Sequence, residues 1–156
     1  MRHIISVLLE NESGALSRVA GLFSARSFNI ESLSVAPSED TSASRMTIVT
    51  SGSDAVIVQI VKQLDKLIDV IEVSEITSNE HIEREIAFVK IEDKSINEVM
   101  MADFSKNEFL KIHKTDNNEI IIECVDSPKK INDFLKSVKK IAVKIVRSGS
   151  VGINSN

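Results

Sequence analysis

From His3 to Glu10 the chain is dense in Ile, Val and Leu, a run suited to a strand buried on at least one face. The polar cluster Asn11-Glu12-Ser13-Gly14 follows, a turn with Glu12 or Ser13 as the expected N-cap of a helix. Leu16, Val19, Ala20 and Phe23 then fall at i, i+3, i+4 and i+7, which predicts an amphipathic helix over residues 15–26. Two strands are expected at Asn29 to Pro37 and Ser44 to Ser51, joined by the polar hairpin Ser38 to Ser42. Ser53 or Asp54 opens a second helix striped by Ile57, Ile60, Val61 and Leu64, and Asp69 to Ile76 closes the set as a Val/Ile-rich strand. The order is βαββαβ.

The second half repeats that order without repeating the residues. Strands are expected at Glu85 to Glu92, Phe109 to Thr115, Glu119 to Val125 and Ala142 to Arg147. A helix over residues 95–105 carries Ile96, Val99 and Met100 on one face, and Asp116-Asn117-Asn118 is a hairpin turn. Ser127-Pro128 marks a helix start, with Ser at the N-cap and Pro in the first helical position, ahead of Ile131, Phe134, Leu135 and Val138. The polar stretch Thr77 to His81 separates the halves and sets the expected division at 1–78 and 79–156. The fold class is therefore α+β, two ferredoxin-like βαββαβ units in tandem, each an antiparallel sheet with two helices on one face. The opposite face of each sheet is expected to stay open and partly apolar, which suggests pairing between chains. Units of this size bury a modest share of their surface, a further reason to expect a dimer.

Composition removes several functions this topology can host. The net charge of −4 and the absence of Trp and Tyr disfavour nucleic acid, and the strand Arg45 to Thr50 lacks the aromatics of an RNA-recognition sheet. A metal chaperone would need a Cys-x-x-Cys pair, whereas Cys124 stands alone in an apolar run and is expected to be a plain core thiol. No apolar run approaches a membrane span and no signal-peptide pattern is present, so the expected location is cytoplasmic. His3, His81 and His113 sit in different elements without ligand spacing, so each is expected to be structural or superficial. The acids Glu80, Glu83 and Glu85 look like a solvated face. No nucleophile–base pair is evident, and an acylphosphatase-like hydrolase would need an Arg in the first strand–helix loop, where none occurs.

That first loop, Leu9 to Leu16, is the segment with chemistry. The opening turn of a helix leaves amides unpaired and carries partial positive charge, so a carboxylate can dock there. Gly14 lets it approach the backbone without a Cβ in the way. Asn11 offers an amide oxygen to an ammonium group and two donors besides. Together they could hold the zwitterionic end of a free amino acid. An ordinary turn with a Gly near a helix start fits the same residues.

Met1 to Val19, then Phe28-Asn29-Ile30-Glu31-Ser32-Leu33-Ser34-Val35-Ala36-Pro37 and Ser44 to Ile48, resemble the acetolactate synthase small-subunit family, a group of ACT-domain proteins. The similarity continues through Lys62 to Val70 and Glu83 to Ile86, weakens afterwards, and returns at Ile145 to Gly149. It implies a non-catalytic regulatory subunit whose residues 1–78 are an amino-acid-binding ACT domain. Such subunits form homodimers through their ACT domains and bind valine, or a related branched-chain amino acid, at the interface for feedback inhibition. By the same resemblance, Asn11 and Gly14 of one chain face Asn29 and Ile30 of its partner, with Leu9 and Ala15 beside them. The family stimulates a large catalytic subunit that holds thiamine diphosphate, FAD and Mg²⁺, so no cofactor is expected in this chain. The alternative is a stand-alone ACT-type sensor regulating another protein. Where the family commonly carries Gly ahead of the aromatic, this chain has Ser27, and a turn of positive φ there would be strained.

Overall fold

The alternation of buried and exposed positions resolves into two sheets. The computed structural model describes residues 1–115 and 118–155, with only the backbone of Asp93 and Val99. The elements are β1 (Arg2–Glu10), α1 (Ala15–Ala25), β2 (Ser32–Pro37), β3 (Ala43–Ser51), α2 (Asp54–Leu64), β4 (Val70–Glu75), β5 (His81–Glu92), α3 (Glu98–Lys106), β6 (Leu110–Lys114), β7 (Glu119–Asp126), α4 (Pro128–Val138) and β8 (Ala142–Asn154). The first sheet runs β2-β3-β1-β4 and the second β6-β7-β5-β8, the expected pair of ferredoxin-like layouts. The expected turn residues Asp116 and Asn117, and the side chain of Val99, lie outside the described residues.

In the first unit β1 pairs antiparallel with both β3 and β4, Ile5 lying opposite Ile48 and Glu75. Ile5, Val7 and Leu9 point to the helices and form one core with Met46, Ile48, Val19, Phe23, Ile57, Ile60 and Leu64. Each of these side chains contributes roughly 1.5–3 kcal/mol through removal from water. The second unit repeats the arrangement with Ala87, Val89, Ile91, Ile120, Ile122, Cys124, Ile131 and Phe134. There α3 starts at Glu98, later than expected, because the Asn97 side chain caps it by accepting the Met100 amide at 2.8 Å.

The C-terminal strand runs further than expected. The compact units are residues 1–82 together with 150–156, and residues 83–149. β8 runs on to Asn154 instead of stopping at Arg147, and β5 begins at His81 inside the expected linker. The outward face of the first sheet is consequently not fully open. The Ser150 amide donates to Ser32 Oγ at 3.0 Å, Arg2 reaches Ser150 Oγ at 3.4 Å, and Gly152 lies against Ile76 and Ile4. Under that segment Ile4, Val49 and Ile76 form a small second core. A Cβ at position 152 would stand 2.8 Å from the Ile76 Cδ1, so the tip of that side chain would have to move.

Glu85 also departs from expectation. It is 5% exposed rather than part of a solvated face, and Arg147 grips it through two bonds of 2.7 and 2.6 Å. A buried carboxylate is stable only when paired in this way.

Candidate effector site

β1 ends in a loop tied down from two sides. The Glu10 amide donates to the Asp69 carbonyl at 2.8 Å, and the Asn11 amide to the Ser42 carbonyl at 2.7 Å. The Asn11 side chain adds a bond to the Thr41 carbonyl at 3.0 Å. The hairpin that receives these bonds is itself set by Asp40, whose Oδ1 accepts the Ser42 amide and hydroxyl at 2.9 and 2.8 Å. Those bonds, the amide first, hold the Asp40 carboxyl below the usual carboxylate range.

Gly14 then turns the chain into α1 with φ 94°, a left-handed conformation that only Gly adopts readily. Gly14 itself is the N-cap, so neither Glu12 nor Ser13 caps the helix, and no side chain bonds to its first turn. The Ala15 amide donates to the Glu12 carbonyl at 3.3 Å, and the next amides of the first turn have no earlier helical carbonyl to bond. One turn into α1, Arg18 adds a full positive charge. Its Nε and Nη2 grip the Asp69 carboxylate, the latter at 2.6 Å. Its Nη1 turns toward Gly14, 3.0 Å from where a Cβ would stand. The Arg18 bond pulls the Asp69 carboxyl below its ordinary value although burial opposes the shift, and the same bond raises Arg18. Arg18 and Asp69 had no role in the sequence reading. Their only signal is spacing, since an Arg four residues after Gly14 sits one helical turn above the loop.

The other sequence candidates are distributed unevenly. Leu9 and Ala15 are both 2% exposed and belong to the core beneath the loop. Asn29 is exposed, and Ile30 packs partly on the core. The Asn29 carbonyl accepts the Thr50 hydroxyl at 2.6 Å, and the Glu31 amide donates to the Val49 carbonyl at 2.8 Å. Register separates the two groups. Leu9 lies opposite Ser44, which lies opposite Pro37, whereas Ser32 lies opposite Val49 and Val49 opposite Ile4. Five strand positions, about 17 Å, part the Gly14 end of the sheet from the Asn29 end. Within one chain the Asn11–Gly14 and Asn29–Ile30 groups do not meet.

Residues 5–72 match the family profile described as an AHAS small subunit-like ACT domain, and residues 84–156 match the small subunit of acetolactate synthase. The acetolactate synthase isozyme 3 small subunit of Escherichia coli is 44% identical, over 99% of this chain and 96% of the relative. The chain belongs to the acetolactate synthase small-subunit family. A more distant relative, the probable acetolactate synthase small subunit of Archaeoglobus fulgidus, is 38% identical over 98% of this chain and 96% of its own length. The crystal structure of the Thermotoga maritima acetolactate synthase small subunit superposes with a TM-score of 0.86 at 33% identity, over 100% of this chain and 98% of that one. The Gly14 turn and the Asn29 segment both fall within the ACT profile. Among the described residues no three His, Cys, Asp or Glu side chains gather as a metal site, and no helix is long and apolar enough to cross a membrane.

Proposed function

We propose that this chain is the non-catalytic regulatory subunit of an acetolactate synthase in branched-chain amino acid biosynthesis. Its ACT domain binds valine, or a related branched-chain amino acid, between two protomers and feeds back on a separate catalytic subunit. The observation that carries this reading is the opening of α1. A glycine N-cap leaves the first turn without a side-chain cap, and the Arg18 guanidinium, paired with Asp69, stands beside it. A carboxylate is the ligand such an arrangement favours. Asn11 is held at the same turn, where its side-chain oxygen can accept from an ammonium group. The apolar side chain of the effector then needs a wall. Leu9 and Ala15 are committed to the core, so Ile30 beside Asn29, supplied by a second protomer in a homodimer, is the wall we assign.

Effector binding acts by favouring one of two arrangements of the regulatory dimer, and inhibition requires tighter binding to the arrangement that disfavours catalysis. A coupling of roughly 1–3 kcal/mol suffices for the usual change in affinity. The thiamine diphosphate, FAD and Mg²⁺ of the reaction belong, in this reading, to the catalytic subunit.

The test is calorimetric titration of valine, leucine and isoleucine into the wild-type chain and Gly14→Asp, with parallel assays alongside the catalytic subunit. Gly14→Asp places a carboxylate where the effector's own would dock. It is expected to weaken binding more than about tenfold and to abolish inhibition while retaining stimulation. Undiminished valine sensitivity in a folded Gly14→Asp protein would remove the site.

A further inference from the structure

At the other end of the first unit a pocket of ≈ 520 Å³ opens between α2 and the start of β1. Ile57, Val58 and Val61 form its apolar wall, His3, Asp54 and Glu75 supply its polar corner, and Met1, whose ammonium bonds the Gly52 carbonyl, and Lys62 also line it. His3 is 7% exposed, deep for a histidine at the beginning of a strand. Its Nδ1 faces Glu75 Oε1 at 3.3 Å. The Glu75 carboxylate also accepts the Thr77 and Ser78 amides at 3.0 and 3.2 Å. Burial raises the Glu75 pKa, but the bonds from Thr77, Ser78 and His3 outweigh it and hold the group below the usual range.

An ionised carboxylate only accepts, so Nδ1 carries the proton toward Glu75. In that tautomer Nε2 presents a bare lone pair. That atom is buried and has no hydrogen-bond partner. Asp54 Oδ1 stands 3.7 Å from it, beyond hydrogen-bond range, on a side chain that is 81% exposed. Two acceptors therefore converge with no donor between them, beside an apolar wall on which Val58 is 52% exposed. Buried acceptors left unmade are unfavourable, and a native structure seldom retains one without a use.

We propose that this pocket is a second ligand site, for a primary ammonium carried on a short aliphatic body. The ammonium pairs with Asp54 and reaches His3 Nε2 as that exposed side chain turns aside, and the hydrocarbon lies on Val58 and Val61. A neutral alcohol supplies one donor and no charge for Asp54. An α-amino acid brings a carboxylate next to Asp54 and Glu75, so the effector assigned to the Gly14 turn is excluded. Lys62 also lines the pocket, but its backbone lies eight residues along α2 from Asp54, about 12 Å from the corner where His3, Asp54 and Glu75 meet.

The test is NMR of the His3 imidazole in the full-length protein at mildly alkaline pH, where an ordinary histidine is neutral. The probes are 3-methylbutylamine, 3-methylbutanol, 3-methylbutanoate and valine. The amine should shift the His3 ring saturably, leave His81 and His113 unmoved, and bind at least about tenfold more tightly than the other three. Asp54→Asn, on an exposed side chain, should weaken it by a similar factor, while Gly14→Asp should leave it unchanged. That last comparison separates this site from the effector site. The proposal is overturned by a ring already protonated at Nε2 without ligand. An absent or unsaturable shift, equal binding of valine, or an unaltered Asp54→Asn titration would each overturn it too.

Discussion

Ser27 holds φ 57°, in the left-handed region that an L side chain occupies at a cost. It closes α1 in a Schellman turn, in which the Phe28 amide donates to the Phe23 carbonyl at 3.0 Å and the Ser27 amide to Ser24 at 3.1 Å. Phe28 packs edge-on against Phe23 at 6.3 Å, the apolar contact that accompanies this motif. The position was legible as strained from the sequence, since the resemblance leads one to expect glycine where this chain has Ser27. Ser27→Gly is expected to stabilise the protein by about 0.5–1 kcal/mol, raising Tm by roughly 2–6 °C in a thermal scan. A fall in Tm would mean that Ser27 makes compensating contacts. Cys124 was equally legible, since an apolar run around a lone cysteine gives a core thiol. Burial, aided by Glu123, pushes its pKa up to about 12. A thiol reagent at neutral pH should leave the native protein unmodified and label it only on unfolding. The unpaired Nε2 of His3 had no such signature, because burial of a strand-initial histidine depends on a helix packed above it.

At the scale of elements, α1 was visible from its apolar stripe, but its anchoring was not. Arg18 and Asp69 are 51 residues apart, and no local pattern links them. Their pairing holds the start of β4 against the loop that positions Gly14. Because Arg18 lowers the Asp69 pKa, the pair's contribution is present above the ordinary carboxylate value and is lost as pH falls through the lowered one. The difference in Tm between wild type and Asp69→Asn should therefore stay constant from about pH 5 to 8 and shrink below about pH 4. A difference that widened on acidification would contradict this assignment. β8 misled for another reason. Its inward residues past Arg147 are the small Ser150 and Gly152, which allow close approach to Ile4 and Ile76, while Val151 and Ile153 are 57% and 67% exposed. Apolar-out and small-in inverts the usual code, so the expected strand stopped at Arg147. Within the second unit, Arg147→Ala would strand the buried Glu85. The expected cost is roughly 2–3 kcal/mol by denaturant titration, below the range for fully buried pairs because Arg147 is itself partly exposed. Arg147→Lys should recover part of it.

For the whole molecule, two tandem βαββαβ units followed from the doubled pattern, because hydrophobic periodicity and turn residues are local properties. Where the chain returns to an earlier unit is not local, and the role of residues 150–155 on the first sheet was correspondingly hidden. The division of the proposed effector site also belongs to this scale. Gly14 and Asn29 lie on one ACT domain but at opposite ends of its sheet, so a site that uses both must borrow one from a second copy.

Subunit mixing tests that requirement most directly. Gly14→Asp and Asn29→Asp homodimers, prepared separately, should each fail to bind valine by calorimetry. After equimolar mixing and exchange, half of the dimers carry one copy of each, and each such dimer regains one unaltered site. Valine binding should then return at wild-type affinity to about a quarter of the wild-type number of sites. No recovery after demonstrated exchange, or full binding by either homodimer alone, would contradict a pocket shared between protomers.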